Sequence, residues 1–137
     1  MADRLTLEIA TPTRQVVAET VDEVVAPGTE GYFGVLPGHA PLLTTVGIGE
    51  VTYRIGREER RLAVAGGFAE VRNDKVIMLL DVAERPEDID RARAERARER
   101  AERRLSGRTQ EDIDYNRALA ALTRALTRIS AAAGKGL

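Results

Sequence analysis

Cysteine and tryptophan are absent from the 137 residues, and histidine occurs once. Without cysteine there are no disulfide staples, thiolate metal sites or cysteine nucleophiles, and one histidine cannot build a multi-histidine metal cage. No apolar run approaches the roughly 18 to 20 residues of a membrane span, and Met1 to Ala10 lacks the apolar centre of a signal peptide. The expectation is a soluble, cytoplasmic chain. Only 5 prolines and 12 glycines occur, with 43% hydrophobic and 31% charged residues. That composition excludes a collagen or a disordered polyanion and fits one globular domain or two very small ones.

Charge is nearly balanced at net −1, but the balance conceals a division. Residues 1–84 carry 8 basic and 13 acidic side chains, net −5, whereas residues 85–137 carry 13 and 9, net +4. The two parts attract each other, and the basic part suits an anionic ligand.

The hydrophobic period changes at the same place. Up to Ala83 apolar residues alternate, as in Leu5, Leu7, Ile9, then Val51, Tyr53, Ile55, then Leu62, Val64. Breaks at Pro12, Pro27-Gly28, Gly31, Pro37-Gly38, Gly47, Gly56, Gly66-Gly67 and Asn73-Asp74 punctuate the segment, a pattern that predicts an all-β sandwich or barrel. Val76 to Val82 is nearly continuous in apolar residues and predicts a central strand buried on both faces. After Glu84 the period becomes helical. One helix is expected to begin at Pro86, with Glu87, Asp88 and Asp90 in its first turn, and to end at Ser106-Gly107. A second, capped by Thr109, runs to about Ala133.

On a helical wheel each helix carries three stripes. In the first, Ala94, Ala97 and Ala101 share a face, with Arg93, Arg96, Arg100 and Arg104 to one side and Glu95, Glu99 and Glu102 pointing away. In the second, Ala118, Ala121, Ala125 and Ala132 form a seam between Leu119, Leu122, Leu126, Ile129 on one flank and Arg117, Arg124, Arg128 on the other. Facing alanine seams bring both arginine stripes to one side of an antiparallel hairpin and the leucines to the opposite side. The leucine face is expected to dock, weakly and reversibly, on the β-domain or a partner.

Few residues suggest covalent chemistry. Gly134-Lys135-Gly136 lacks the first glycine of a phosphate loop, because Ile129 stands there, and has no following Ser or Thr. His39 has no nucleophile elbow to serve, and no carboxylate pair is evident. The arginines carry more weight. Glu95 and Glu99 can neutralise neighbours in the first helix, but Arg124 and Arg128 are like charges at i,i+4 with threonines beside them. That arrangement costs a few tenths of a kcal/mol unless an anion faces it. An arginine-rich nucleic-acid-binding protein is the alternative from another class. Against it, Tyr115 is the only aromatic residue in the hairpin and the arginines alternate with glutamates.

Two segments, Gly31-Tyr32-Phe33-Gly34-Val35-Leu36-Pro37-Gly38-His39-Ala40-Pro41-Leu42-Leu43-Thr44 and Gly66-Gly67-Phe68-Ala69-Glu70-Val71, resemble the signature segments of the epsilon subunit of bacterial F-type ATP synthases. The resemblance implies a β-sandwich of about ten strands over residues 1–84, binding the gamma subunit and the ring of c subunits, and an α-helical hairpin over residues 85–137. It implies a non-catalytic rotor subunit of a proton-translocating enzyme, peripheral on the cytoplasmic face of the bacterial membrane. Tyr32, Gly38 and His39 match the ring-facing loop, with Tyr32 where the family often has an acid. In this family the hairpin folds against the sandwich or extends toward the alpha and beta subunits, where it inhibits ATP hydrolysis. Ile89-Asp90-Arg91-Ala92-Arg93-Ala94 matches the I-D-x-x-R-A motif of members that bind ATP as a regulatory ligand, and Arg100, Arg124 and Arg128 match their phosphate-facing arginines. By that pattern Glu84, Ile89, Asp90 and Ala94 lie near the base and the arginines, including Arg93, near the phosphates. No cofactor is required, Mg²⁺ participation is left open, and no nucleic acid is among the implied partners.

Overall fold

The computed structural model describes residues 3–106 and 112–134. Eight strands come first: β1 (Leu5–Ala10), β2 (Gln15–Val21), β3 (Glu23–Gly28), β4 (Gly31–Val35), β5 (Leu42–Val46), β6 (Gly49–Ile55), β7 (Glu58–Arg72) and β8 (Lys75–Glu84). A 3₁₀ turn (Pro86–Asp88) leads to α1 (Arg91–Leu105) and α2 (Asp112–Gly134). The expected β-sandwich and two-helix hairpin are both present, with eight strands in place of about ten.

The count is lower partly because Gly66-Gly67 bends a strand that the turn signals were expected to end. β7 is one 15-residue strand that pairs with β6 over Glu58–Val64 and with β5 over Gly67–Val71, while β8 runs antiparallel to both portions. The change of partner needs left-handed backbone, φ +69° at Gly66 and +130° at Gly67. A Cβ on Gly67 would overlap the Leu79 carbonyl oxygen.

The strands run β2-β1-β8-β7-β5-β3-β4, and β6 closes the sandwich by pairing with both β3 and β7. β1 and β8 are parallel, the rest antiparallel. Alternation sends Leu5, Leu7, Ile9, Val24, Val51, Tyr53, Leu62 and Met78 into one core. The outer face of β8 departs from expectation. Val76, Met78 and Leu80 are buried, but Leu79 is 60% exposed, so this strand is covered on one face only.

Helix α1 starts later than Pro86. Ile89 is extended (φ −83°, ψ 123°) and buried against Ala63, Ala131 and Ala132, which tertiary contact holds out of the helix. Asp90 becomes the N-cap, its Oδ1 accepting the Arg93 N–H at 3.0 Å. Ala94, Ala101, Ala118 and Ala125 are buried between the helices, as the seams predict. The leucine flank does not dock on the sandwich: Leu119 and Leu126 are 43% and 46% exposed. The expected Thr109 cap and the Gly107, Lys135 and Gly136 positions lie outside the described residues.

At the far end of the sandwich Asp22 gathers three groups. Its carboxylate accepts the Gly56 N–H at 2.6 Å and Arg4 Nε at 2.9 Å, with Arg54 3.9 Å away. The Gly56 bond first, then the arginines, hold its pKa below the ordinary 3.8. A carboxylate lowered on folding stabilises the fold above that value and loses its contribution as pH falls through the lower, folded value. Urea midpoints should therefore drop below pH 3.8, and Asp22→Asn should flatten that drop. Gly67→Ala should cost about 3 kcal/mol by denaturant titration, from overlap and left-handed strain together.

Candidate functional site

The hairpin meets the sandwich on the outer face of the β6–β7–β8 corner. Ala63 pairs with Glu84 across β7 and β8, and Ala65 with Val82, so these side chains present a shallow, small-residue floor. Ala131, Ala132 and Ile89 settle on Ala63. Burial of these short side chains is the apolar part of the attachment, and it is small.

The polar part, for α2 and among the described residues, is the pair Glu84–Arg128, while Arg14 Nη2 meets Asp88 Oδ2 at 3.4 Å at the start of the hairpin segment. Arg128 Nη2 donates to Glu84 Oε2 at 3.0 Å, and Nε stands 2.8 Å from Oε1 with both side chains 24% exposed. The guanidinium thus meets the carboxylate along one edge, with Nε and Nη2 each beside one oxygen. Residues 124, 127, 128 and 131 share one side of α2, so this pair turns the arginine side inward and leaves the leucines outside.

A crevice of about 30 Å³ lies beside the pair, lined by Ile48, Ala63, Val64, Ala65, Val82, Glu84, Arg124, Thr127 and Arg128. It is lined chiefly by apolar atoms and has room for about one water, far below the roughly 300 Å³ at which small-molecule sites begin. Of the eight hairpin-site residues, Glu84, Arg124 and Arg128 converge there. Ile89 occupies the adjoining apolar cluster, Asp90 is committed to capping α1, and Ala94 is fully buried between the helices. Arg93 and Arg100 are exposed on α1.

The arginine stripe is less neutralised than expected. In α1 the carboxylates Glu95 and Glu102 pair with Arg98, at 3.0 and 3.5 Å, and Arg98 lies outside the stripe. Among the described residues Arg93, Arg96, Arg100 and Arg124 make no ion pair, so their field remains available to an anion. No cluster of side chains suited to a metal ion occurs among the described residues.

Tyr32, Gly38 and His39 are not brought together. Tyr32 is second in β4, 61% exposed, and its hydroxyl accepts the Glu50 N–H at 3.1 Å; a Cβ at Gly49 would collide with that hydroxyl. Gly38 and His39 lie past the other end of β4, where the Gly38 N–H donates to Asp74.

Two features were missed by sequence reasoning. Leu43, Phe68 and Leu79, exposed by 71%, 58% and 60%, line the outer face of β5–β7–β8, where Phe68 pairs directly with Leu79. The signal was present in the continuous apolar run of β8, which fits one buried and one sticky face as well as two buried ones. Arg85 anchors the start of the hairpin, donating to the Val16 carbonyl at 2.8 Å and, at 3.4 Å, to the hydroxyl of buried Tyr53. No local pattern reports such a contact.

Residues 4–86 match the family model "ATP synthase, Delta/Epsilon chain, beta-sandwich domain", and residues 87–133 match "ATP synthase, Delta/Epsilon chain, long alpha-helix domain". An ATP synthase epsilon chain of Syntrophotalea carbinolica is 51% identical over 99% of this chain and 98% of its own. That of Syntrophobacter fumaroxidans is 51% identical over 96% and 98%. A chain of the Euglena gracilis mitochondrial ATP synthase shares the fold, with a TM-score of 0.81 at 22% identity over 95% of this chain and 81% of that one. No described helix is long and apolar enough to cross a membrane. The chain belongs to the ATP synthase epsilon-chain family and is a non-catalytic subunit of that complex.

Proposed function

We propose that the chain is a rotor subunit in the central stalk of a proton-translocating F-type ATP synthase, and that its hairpin is a two-position regulator of ATP hydrolysis that senses ATP. The observation that carries this reading is the attachment of the two helices: among the described residues α2 meets the sandwich through the pair Glu84–Arg128 and a patch of alanines, with an exposed pair, Arg14–Asp88, ahead of α1. An element held so lightly is available to exchange between docked and extended positions.

The sandwich supplies the fixed contacts. Its outer row of Leu43, Phe68 and Leu79 offers the apolar area for the gamma subunit. Tyr32, Gly38 and His39 face the ring of c subunits, Tyr32 through its exposed ring in place of an acid. On this reading the chain is a peripheral protein at the cytoplasmic face of the membrane.

In the docked state the unpaired arginines Arg93, Arg100 and Arg124 flank Arg128. ATP phosphates would answer their repulsion and engage the Arg128 guanidinium, while the base lies toward Glu84, Ile89, Asp90 and Ala94. The crevice is too small for the nucleotide, so binding requires the hairpin to ease away from Glu84 while it stays folded. ATP favours the folded hairpin only by the difference between its affinities for the two positions. Without it the hairpin extends to the alpha and beta subunits and slows hydrolysis.

Calorimetric titration with ATP, with and without Mg²⁺, should give saturable one-to-one binding, and Arg124→Ala combined with Arg128→Ala should weaken it at least about tenfold. Full affinity in that double variant would overturn the site. Glu84→Gln removes the charge that holds Arg128 and should raise the undocked fraction several-fold, on the order of 1 kcal/mol. Fluorescence transfer between labels on β2 and the outer face of α2 reads the change.

A further inference from the structure

The β7–β8 connection is a two-residue turn in which Asn73 (φ +52°) and Asp74 (φ +58°) are both left-handed. This is type I′ geometry, and glycine at its second position avoids the strain that a side chain carries there. Asp74 stands there instead. Its carbonyl accepts the Thr6 N–H at 2.9 Å, joining the turn to β1. Its Oδ1 accepts the Gly38 N–H at 2.7 Å, joining it to the loop between β4 and β5.

The partner loop shows what that second bond accomplishes. Leu36 to His39 form a turn closed by the His39 N–H donating to the Leu36 carbonyl at 3.1 Å, with Pro37 second and Gly38 third at φ +87°. In such a type II turn the third residue's N–H takes no part in the turn and needs a partner from outside. A carboxylate is the stronger kind of acceptor. Leu36, which opens the turn, is 54% exposed, and the Nδ1 of His39, which closes it, lies 2.6 Å from the Ala40 carbonyl.

We propose that Asp74 is the positioning residue of the Leu36–His39 loop, holding a preformed Leu36–His39 knob in one orientation for docking. The part of this concerning the ring of c subunits rests on the reading of Gly38 and His39 given above. The left-handed strain at position 74 is tolerated because the carboxylate does what glycine cannot.

Two substitutions separate this role from the turn itself. Asp74→Gly relieves the backbone and removes the acceptor; Asp74→Asn keeps an acceptor oxygen and tolerates the left-handed conformation. In the full-length protein, amide–water exchange at Gly38 should accelerate about tenfold or more in Asp74→Gly, with an unfolding midpoint unchanged or raised, and Asp74→Asn should restore most of the protection. An unchanged Gly38 exchange rate in Asp74→Gly overturns the proposal. The same variants are then assembled into ATP synthase depleted of its epsilon chain, and protons pumped per ATP hydrolysed are measured. Reduced pumping with Asp74→Gly, rescued by Asp74→Asn, supports the whole inference. Faster Gly38 exchange with unchanged pumping upholds the positioning and overturns the ring contact.

Discussion

The uninterrupted course of β7 is the constraint on which the other features depend. One strand serves β6, β5 and β8, and it does so only because Gly66 and Gly67 let it bend without ending. Before the bend, its outward residues Ala63 and Ala65 are small and form the floor on which the hairpin rests. After the bend, Phe68 points outward and joins Leu43 and Leu79 in an exposed row. A single strand thus sets out two different surfaces on one face of the sandwich, one shaped for a helix of this chain and one still uncovered.

The hairpin achieves close approach by having little side chain to exclude. Alanines at its seam let the two helices touch, and alanines at its base let it lie flat on the sheet. Short side chains bury little area, so the docking of the hairpin depends unusually on charge. The arginine side faces Glu84, where a cation of the net +4 hairpin segment meets an anion of the net −5 sandwich segment. The opposite flank keeps its leucines in solvent.

Much of this architecture is legible in local pattern. Period-two runs located β1 and β6, and the wheel isolated the alanine seams, because both signals come from neighbours in sequence. The failures share a cause. Gly66-Gly67 reads as a turn because glycine chemistry is the same in a bend and in a break. Ile89 reads as helix, yet Ala63, brought from another strand, holds it extended. The inward flank of α2 is chosen by Arg128 and Glu84, 44 residues apart in sequence. Of the candidate site, the family motif supplied the residues, but only the folded chain reveals that Asp90 is occupied as a cap and Ala94 is enclosed.

Arg85 fixes where any swing of the hairpin must begin. Its guanidinium is fastened to the β2 backbone and to Tyr53 in the core, which ties the chain to the sandwich up to that residue. From Arg85 to Asp90 five residue steps reach at most about 17 Å, whereas the 15 residues of α1 run about 22 Å beyond them. The geometry is that of a short tether carrying a long lever. In the proposed exchange its base would stay within reach of the same corner of the sandwich while its tip swept a much larger arc, carrying a small change at Glu84 far from where it occurs.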